Sequence, residues 1–437
     1  MSPEILAFIM LGVIVLAIIS GYHVAFALAA IPMIFGFFVI GPRVLPLYPL
    51  QAFGMMSSYP FVAAPLFIFM GALMERSGIA DTLYEAFYHL LGGVRGGLAL
   101  ATVAMATIFG ACTGIVGAGV ITIGLLALPS MLSKGYSKSL ATGSIMVGGG
   151  LGVTIPPSIM LILYGCAAGV SIAKLFVAAI IPGILLGLLY MAYIYIKGRI
   201  NPEVCPPVSD KERLRGAPLF RLTMISLVPP LFLILAVLGS VFFGVVSPSE
   251  AGAMGVLGGL VLIASKGKFN KEVIIGAMAA TMKITSAVLL ICLAGQLFTS
   301  VFISMKGDVG LRGLMTVFDL GPTGTLLVML LIVFLLGMVM DWIALIFILA
   351  PIFTPLLKSM GIDPLYFGIL FCVTLQISNM TPPFAYSVFY LKTITPPEVT
   401  IGDMYKGCVP FALVSASCPI LLLVLPWLVT WLPGLMK

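Results

Sequence analysis

The sequence predicts an all-α, multi-pass membrane protein built as an inverted repeat, and three observations predict it. Hydrophobic residues make up 61% of the 437, charged residues 8%, and mean hydropathy is +1.22, far outside the range of soluble chains. Apolar runs recur along the chain at a length that can cross a bilayer, ~20 helical residues per crossing. The helix breakers recur too: at a separation of 226 residues, Pro129, Gly135, Pro156, Pro157 and Tyr164 fall on Pro355, Gly361, Pro382, Pro383 and Tyr390. The length allows roughly ten to twelve spans and leaves no room for a sizeable soluble domain, which excludes a built-in ATPase or soluble catalytic unit.

Residues 1–95 carry three spans at 3–20, 22–40 and 48–74, then a mixed stretch in which Ile79, Leu83, Phe87, Leu90 and Leu91 oppose Asp81, Glu85 and His89. That pattern describes an arm lying in the membrane interface, with His89 as an interfacial tip. His23 has an equally plain place between two apolar runs. No basic residue precedes Arg43, so the n-region of a cleavable signal is missing and the first helix is expected to be retained.

Residues 96–196 begin with a run, 97–132, too long for one span and broken by Gly110, Gly114, Gly117 and Gly119. Either a broken helix or a re-entrant hairpin fits it. The next run, 139–165, holds Gly148, Gly149, Gly150, Gly152, Pro156 and Pro157, so its backbone ladder is interrupted. A plain span, 172–196, completes the half.

Residues 197–221 are the one hydrophilic connection, basic at Lys197, Arg199, Lys211, Arg213, Arg215 and Arg221. Residues 222–320 then repeat the early programme with spans at 223–243, 249–265 and 274–303 and an amphipathic piece at 309–318. Ser247, Pro248, Ser249 and Glu250 read as a helix start with an acid in the first turn. Residues 321–437 repeat the late programme: an interrupted run 324–357, a proline-broken run 364–391 and a last span 402–431.

If both interrupted runs are hairpins, each half has five crossings, and an odd number inverts the second half relative to the first. With the N-terminus outside, the cytoplasmic set is Arg76, Arg95, Lys134, Lys138, the six of the central loop, Lys266, Lys268, Lys271, Lys392 and Lys406. Arg43, Lys174, Lys306, Arg312, Lys358 and Lys437 lie outside, and Lys283 snorkels from within a span. That is fifteen against six; full crossings with the N-terminus inside give fourteen against seven, so charge alone leaves both open. The net charge of +7 is thus explained by topology and implies no nucleic acid. The seven cysteines are scattered without metal-ligand spacing and read as apolar fillers.

The chemistry concentrates between Gly337 and Pro383. An acid inside so hydrophobic a run is expensive and marks an ion or proton site, so Asp341 is the leading candidate. Its alternatives are a cap on a half-helix or a partner for a distant cation. Sodium, a hard cation, would take oxygens from Asp341, the Thr381 hydroxyl, Asn379 and carbonyls freed near Gly337. A buried aspartate with a raised pKa would serve proton coupling instead. The counterpart in the first half is Gly110, Thr113 and the break at Gly150, with Thr154 nearby; a second cation there has no carboxylate to bind. A substrate anion is expected between the tips, near Gly114, Trp342, Pro156 and Pro382, where half-helix N-termini offer donors and a positive dipole end. Phosphate-binding loops, dinucleotide fingerprints and hydrolase triads are absent.

The run Gly337, Met338, Val339, Met340, Asp341, Trp342, with Pro351, Gly361, Asp363, Pro364, Thr381, Pro382 and Pro383, resembles the large membrane subunit of a TRAP (tripartite ATP-independent periplasmic) transporter. So do Phe109, Gly110, Ala111, Thr113 and Gly114; Ile155 to Ser158; Ser171, Ile172, Leu175 and Phe176; Pro182 and Gly183; and Ser247 to Ala251. The resemblance covers essentially the whole chain. It implies an elevator-type fold, with a scaffold from the early spans of each half, two arms, and a transport domain of two re-entrant hairpins and two broken helices. It further implies sodium ions, two or more, at the hairpin tips, an organic acid anion as cargo, and two partners: a small four-helix membrane subunit and a periplasmic substrate-binding protein. The setting would be a bacterial or archaeal cytoplasmic membrane. Many relatives carry two serines after the first tip glycine, whereas Ile115 and Val116 stand here, which points to a less polar organic acid. A stand-alone sodium- or proton-coupled anion symporter is the alternative, followed by a channel or the membrane subunit of an enzyme.

Overall fold

The computed structural model describes residues 2–318, 321–383 and 385–436; Met1 and Lys437, the latter counted above with the outside set, lie outside the described residues. The first half runs α1 (Pro3–Ile19), α2 (Val24–Ile40), α3 (Leu47–Met56), α4 (Ala63–Arg76), α5 (Ile79–Leu91), α6 (Gly97–Thr113), α7 (Val116–Ser133), α8 (Lys138–Thr154), α9 (Ile159–Ala168) and α10 (Ile172–Ile200). The second half runs α11 (Ala217–Phe242), α12 (Pro248–Ser265), α13 (Lys271–Ser304), α14 (Gly307–Phe318), α15 (Gly321–Gly337), α16 (Trp342–Ser359), α17 (Pro364–Ser378), α18 (Tyr386–Lys392), α19 (Ile401–Val424) and α20 (Trp427–Gly434). No strand occurs among the described residues. By length and composition eight described helices can cross a membrane, or ten if two bent pairs count as spans.

The duplication extends well beyond five shared residues. Helices α7 and α16 are displaced by 226 residues at both ends, α8 and α17 at their starts, and both broken helices carry a cis proline at the corresponding point, Pro156–Pro157 and Pro382–Pro383. The halves differ in one span. The run 48–74, read above as one span, divides into α3 and α4 at a 65° bend, while its counterpart α13 continues unbroken for 34 residues. Pro60 lies in the break, where its ring removes a backbone donor.

Polar groups at the face of the central loop settle how α6 and α7 run. The Leu98 N–H in the first turn of α6 donates to the Tyr136 hydroxyl just beyond α7, at 3.0 Å. The central loop then ties both ends down: Gly96 N–H donates to Cys205 O, Ser137 N–H to Val204 O and Val208 N–H to Gly92 O. Lys134 also pairs with Glu212, and its ammonium holds that carboxyl below the usual range. Helices α6 and α7 therefore enter and leave from one side as a re-entrant hairpin. The loop itself is shorter than 197–221, because α10 continues through Ile200 and α11 begins at Ala217. His89 does more than tip the arm α5: its Nδ1 accepts from Leu214 N–H, and its carbonyl accepts from the Arg213 guanidinium.

The second hairpin is inverted. Helix α9 leads away from the central loop, and the Tyr164 hydroxyl on it donates to Pro364 O at the start of α17, at 2.9 Å. At the opposite face, Lys138 at the start of α8 contacts Glu398 O just before α19. The two broken helices thus cross the molecule in opposite senses, and α15 and α16 approach from the far side. Helix α15 ends against the end of α17, and α16 returns to its beginning. The last span also needs correction: α19 stops at Val424, and after Pro426 α20 turns back onto α10.

Close backbone approach holds the hairpins to the broken helices. A Cβ on Gly110 would lie 2.8 Å from Gly152 Cα, and one on Gly149 would lie 2.6 Å from Val120 N, so α6 and α7 meet α8 backbone to backbone. Gly110→Ala is therefore expected to destabilise the protein by ~1–3 kcal/mol, whereas Gly12→Ala, in open space on α1, lowers the detergent melting temperature by nothing measurable. For topology, in a Cys166→Ser background, Arg95→Cys and Lys134→Cys are expected to label from the cytoplasmic side and Lys174→Cys from the other. Labelling of residues 95 and 134 from opposite faces would mean that α6–α7 crosses.

Candidate functional site: two hairpin tips

At the second tip α15 ends at Gly337, and four residues later Asp341 caps α16. Its Oδ1 accepts from Ile343 N–H at 2.9 Å, with Ala344 N–H also in reach. The capping and ion-binding readings of Asp341 are therefore compatible, since a carboxylate that caps a helix keeps acceptor capacity for a cation. Gly337 permits the approach of α17: a Cβ there would lie 2.7 Å from Ser378 Oγ, which itself lies 3.1 Å from both the Phe334 and Thr374 carbonyls. Trp342 is the first residue of α16 and is half-buried.

The break after α17 supplies oxygens. Asn379 is 1% exposed and its Oδ1 has no hydrogen-bond partner, while its carbonyl accepts weakly from Ser387 N–H at 3.4 Å. The Thr381 hydroxyl donates to Ile377 O at 2.7 Å, leaving only its lone pairs. No cluster of three or more His, Cys, Asp or Glu occurs among the described residues, so a cation here must draw on one carboxylate, amide and hydroxyl oxygens, and carbonyls. A hard, weakly held monovalent ion suits that donor set.

The first tip is built differently. Gly114 adopts φ +64°, the left-handed conformation that ends α6, and its N–H donates to Gly110 O at 2.9 Å. The Thr113 hydroxyl also reaches Gly110 O, at 3.4 Å, so that carbonyl is engaged rather than freed. The N-cap of α7 is Ile115, the counterpart of Asp341, and it makes no side-chain cap. Gly150 faces the other repeat: a Cβ there would stand 1.8 Å from the Gln376 amide nitrogen, so the broken helices cross where Gly150 leaves room for Gln376.

Helix α18 brings the tips together. The Tyr390 ring lies over Gly117 in the first turn of α7, 3.0 Å from where a Cβ would be, and the Tyr386 and Tyr390 phenols sit within electrostatic reach of the Asp341 carboxylate. Gln376, Ser387 and Tyr390 are not singled out beside the tips by the sequence; a lone amide inside the apolar run 364–378 carries the same signal as Asp341, whereas Tyr390 stands out in the sequence only as one mark of the repeat. Pro156 and Pro382, expected beside the substrate, instead line apolar cavities of about 370 and 420 Å³ against α10–α11 and α19, unsuited to a charged molecule.

Comparison with known proteins places this geometry. Residues 10–428 match the family described as the DctM component of the tripartite ATP-independent periplasmic transporter. The C4-dicarboxylate TRAP transporter large permease protein DctM of Pseudomonas aeruginosa is 31% identical over 378 residues, covering 86% of this chain and 85% of that protein. The ectoine/5-hydroxyectoine large permease protein UehC of Ruegeria pomeroyi is 32% identical over 376 residues, 86% of each chain. The isethionate permease protein DctMQ of Oleidesulfovibrio alaskensis is 30% identical, covering 90% of this chain and 62% of that longer protein. Among solved structures, the Alcanivorax borkumensis YdaH transporter shares the fold, with a TM-score of 0.66 at 18% identity over 90% of both chains. The chain belongs to the DctM family of TRAP transporter large permease subunits and is a multi-pass protein of the inner membrane.

Proposed function

We propose that this subunit drives uptake of an organic acid anion with sodium, receives it from a periplasmic binding protein, works beside a small four-helix membrane subunit, and moves its hairpins as an elevator. One observation carries the reading: two hairpins entering from opposite sides converge on α18, and the sole carboxylate in either tip caps one of them. We place the coupling ion at the second tip, on Asp341, the Asn379 amide oxygen and the Thr381 lone pairs. A second ion at the first tip would rest on backbone oxygens. The relatives above are named for small organic solutes, which supports an organic acid as cargo.

Movement is supported by the boundary between α4 and α13 on one side and the hairpins on the other. A Cβ on Gly71 would lie 2.6 Å from Thr113 O, one on Gly295 2.3 Å from Phe347 Cβ, and Phe61 stacks on Phe347. None of the described salt bridges crosses it: Lys134–Glu212, Arg213–Asp210, Arg215–Asp210 and Arg312–Asp308 all lie elsewhere. Two side-chain hydrogen bonds do cross it, Thr299 to Phe347 O at 3.0 Å and Thr122 to Glu75 at 3.3 Å, and a largely apolar contact with so few polar ties and no ion pair slides at little cost. A cavity of about 470 Å³ opens on the face opposite the central loop, between Ser58, Ser247 and Ser249 on one side and Ser171 on the other, and offers a periplasmic entry.

Asp341→Asn separates charge from cap, because asparagine caps helices as well as aspartate does. The variant is expected to keep its melting temperature without sodium while its sodium affinity falls about a hundredfold, roughly 3 kcal/mol. Uptake into proteoliposomes with an unaltered sodium titration would sink the ion-site assignment. Omitting the binding protein from the same assay is expected to abolish uptake; full activity without it would favour a stand-alone symporter.

A further inference from the structure

The repeat places two unlike helix starts opposite each other. In the second half Asp341 neutralises the N-terminus of α16. In the first half α7 begins at Ile115 and α9 at Ser158, and neither has a side-chain cap. These two open N-termini are neighbours, because a Cβ on Gly114 would lie 3.6 Å from Ile159 N and 3.4 Å from Pro157 O. Each carries about +0.5 of an elementary charge, so together they present about one.

A second observation points into the same space. Ser387 is 0% exposed and its hydroxyl has no hydrogen-bond partner. It lies on α18, which packs on α7: Tyr390 covers Gly117, and two turns further along α7 Leu391 and Ile394 meet Gly124. Positions 387, 391 and 394 share a helical face, and the two segments run in parallel, so Ser387, one turn before Tyr390, lies toward the start of α7. Its hydroxyl is an unpaired, fully buried donor at that end of α18, available to join the α7 amides.

From this we infer that the first tip is the anion subsite and that its substrate is a monocarboxylate with an apolar body. The inference rests on the transport reading above and narrows its substrate class. No Lys or Arg occurs in residues 97–132, 148–165, 336–350 or 376–391, so a second carboxylate would meet no positive partner. The walls around the open N-termini are Ile115, Val116, Ile159 and the Tyr390 ring, which offer a polyhydroxylated body little to bond with.

The test uses the purified full-length permease and thermal-shift titration with three acids: hexanoate, its six-carbon polyhydroxylated counterpart gluconate, and the dicarboxylate succinate. Hexanoate is expected to stabilise it saturably, with gluconate and succinate at least about tenfold weaker. Ile115→Asp, which recreates at α7 the cap that Asp341 gives α16, is expected to abolish the hexanoate shift while the sodium-induced shift persists. Ser387→Ala, a smaller change, should raise the apparent Kd for hexanoate roughly fivefold to tenfold. Succinate or gluconate binding as well as hexanoate, no shift with any of the three, or an unaltered hexanoate titration in either variant would overturn the assignment. Loss of the sodium shift in the native protein with the hexanoate shift intact would instead overturn the coupling-ion site and leave this one standing.

Discussion

A peptide group left without a partner in hydrocarbon costs several kcal/mol, and this fold ends helices inside the membrane at two hairpin tips and two breaks. Each end must find a partner locally, and the breakers are arranged to provide one. Gly114 folds back to Gly110 O, the Ser158 hydroxyl returns to Val153 O, Thr381 to Ile377 O, and Asp341 caps Ile343. Those ends that stay open, at α7 and α9 and around Asn379, are where a ligand has something to gain. Structural satisfaction and binding capacity are the same quantity distributed unequally.

That unequal distribution sets the polarity of the site. Helices α7 and α16 keep the same register at a separation of 226 residues, so the electrostatic difference between the tips comes from side chains at equivalent positions, Ile115 against Asp341 above all. A carboxylate at one tip favours a cation there and cancels its helix dipole; an aliphatic residue at the other leaves the dipole exposed. On the function proposed above, a symmetric scaffold thereby acquires a cation end and an anion end.

Glycine and the aromatic rings serve the remaining demand, that rigid bodies meet closely without being locked. Gly110 and Gly152 bring α6 onto α8, Gly150 admits Gln376 at the crossing of the broken helices, and Gly117 lets the Tyr390 ring lie on the first tip. On the outer boundary Gly71 and Gly295 give smooth contact with α6 and α16. Three of the four described ion pairs gather at the central loop, where Lys134, Arg213 and His89 hold it across the hairpin mouth.

Composition, breaker spacing and the lone acid by themselves determined the membrane class, the repeat and the position of the second tip, because hydrophobicity and the penalty for buried charge are local properties of a stretch of chain; the family was legible only through the resemblance of its motifs. Capping residues were legible for the same reason: Ser247 and Glu250 form the capping box their spacing implies. Whether residues 97–132 cross or return was not, since charge counts allowed both, and it took the contact of Leu98 with Tyr136 and of both hairpin ends with the central loop to decide it. The bend between α3 and α4, the return of α20, the open end of α7 facing Ser387 and the meeting of the tips at Tyr390 were likewise decided only by the tertiary structure. Each depends on what lies across a helix interface from residues distant in sequence, and a one-dimensional pattern of hydrophobicity carries no record of that.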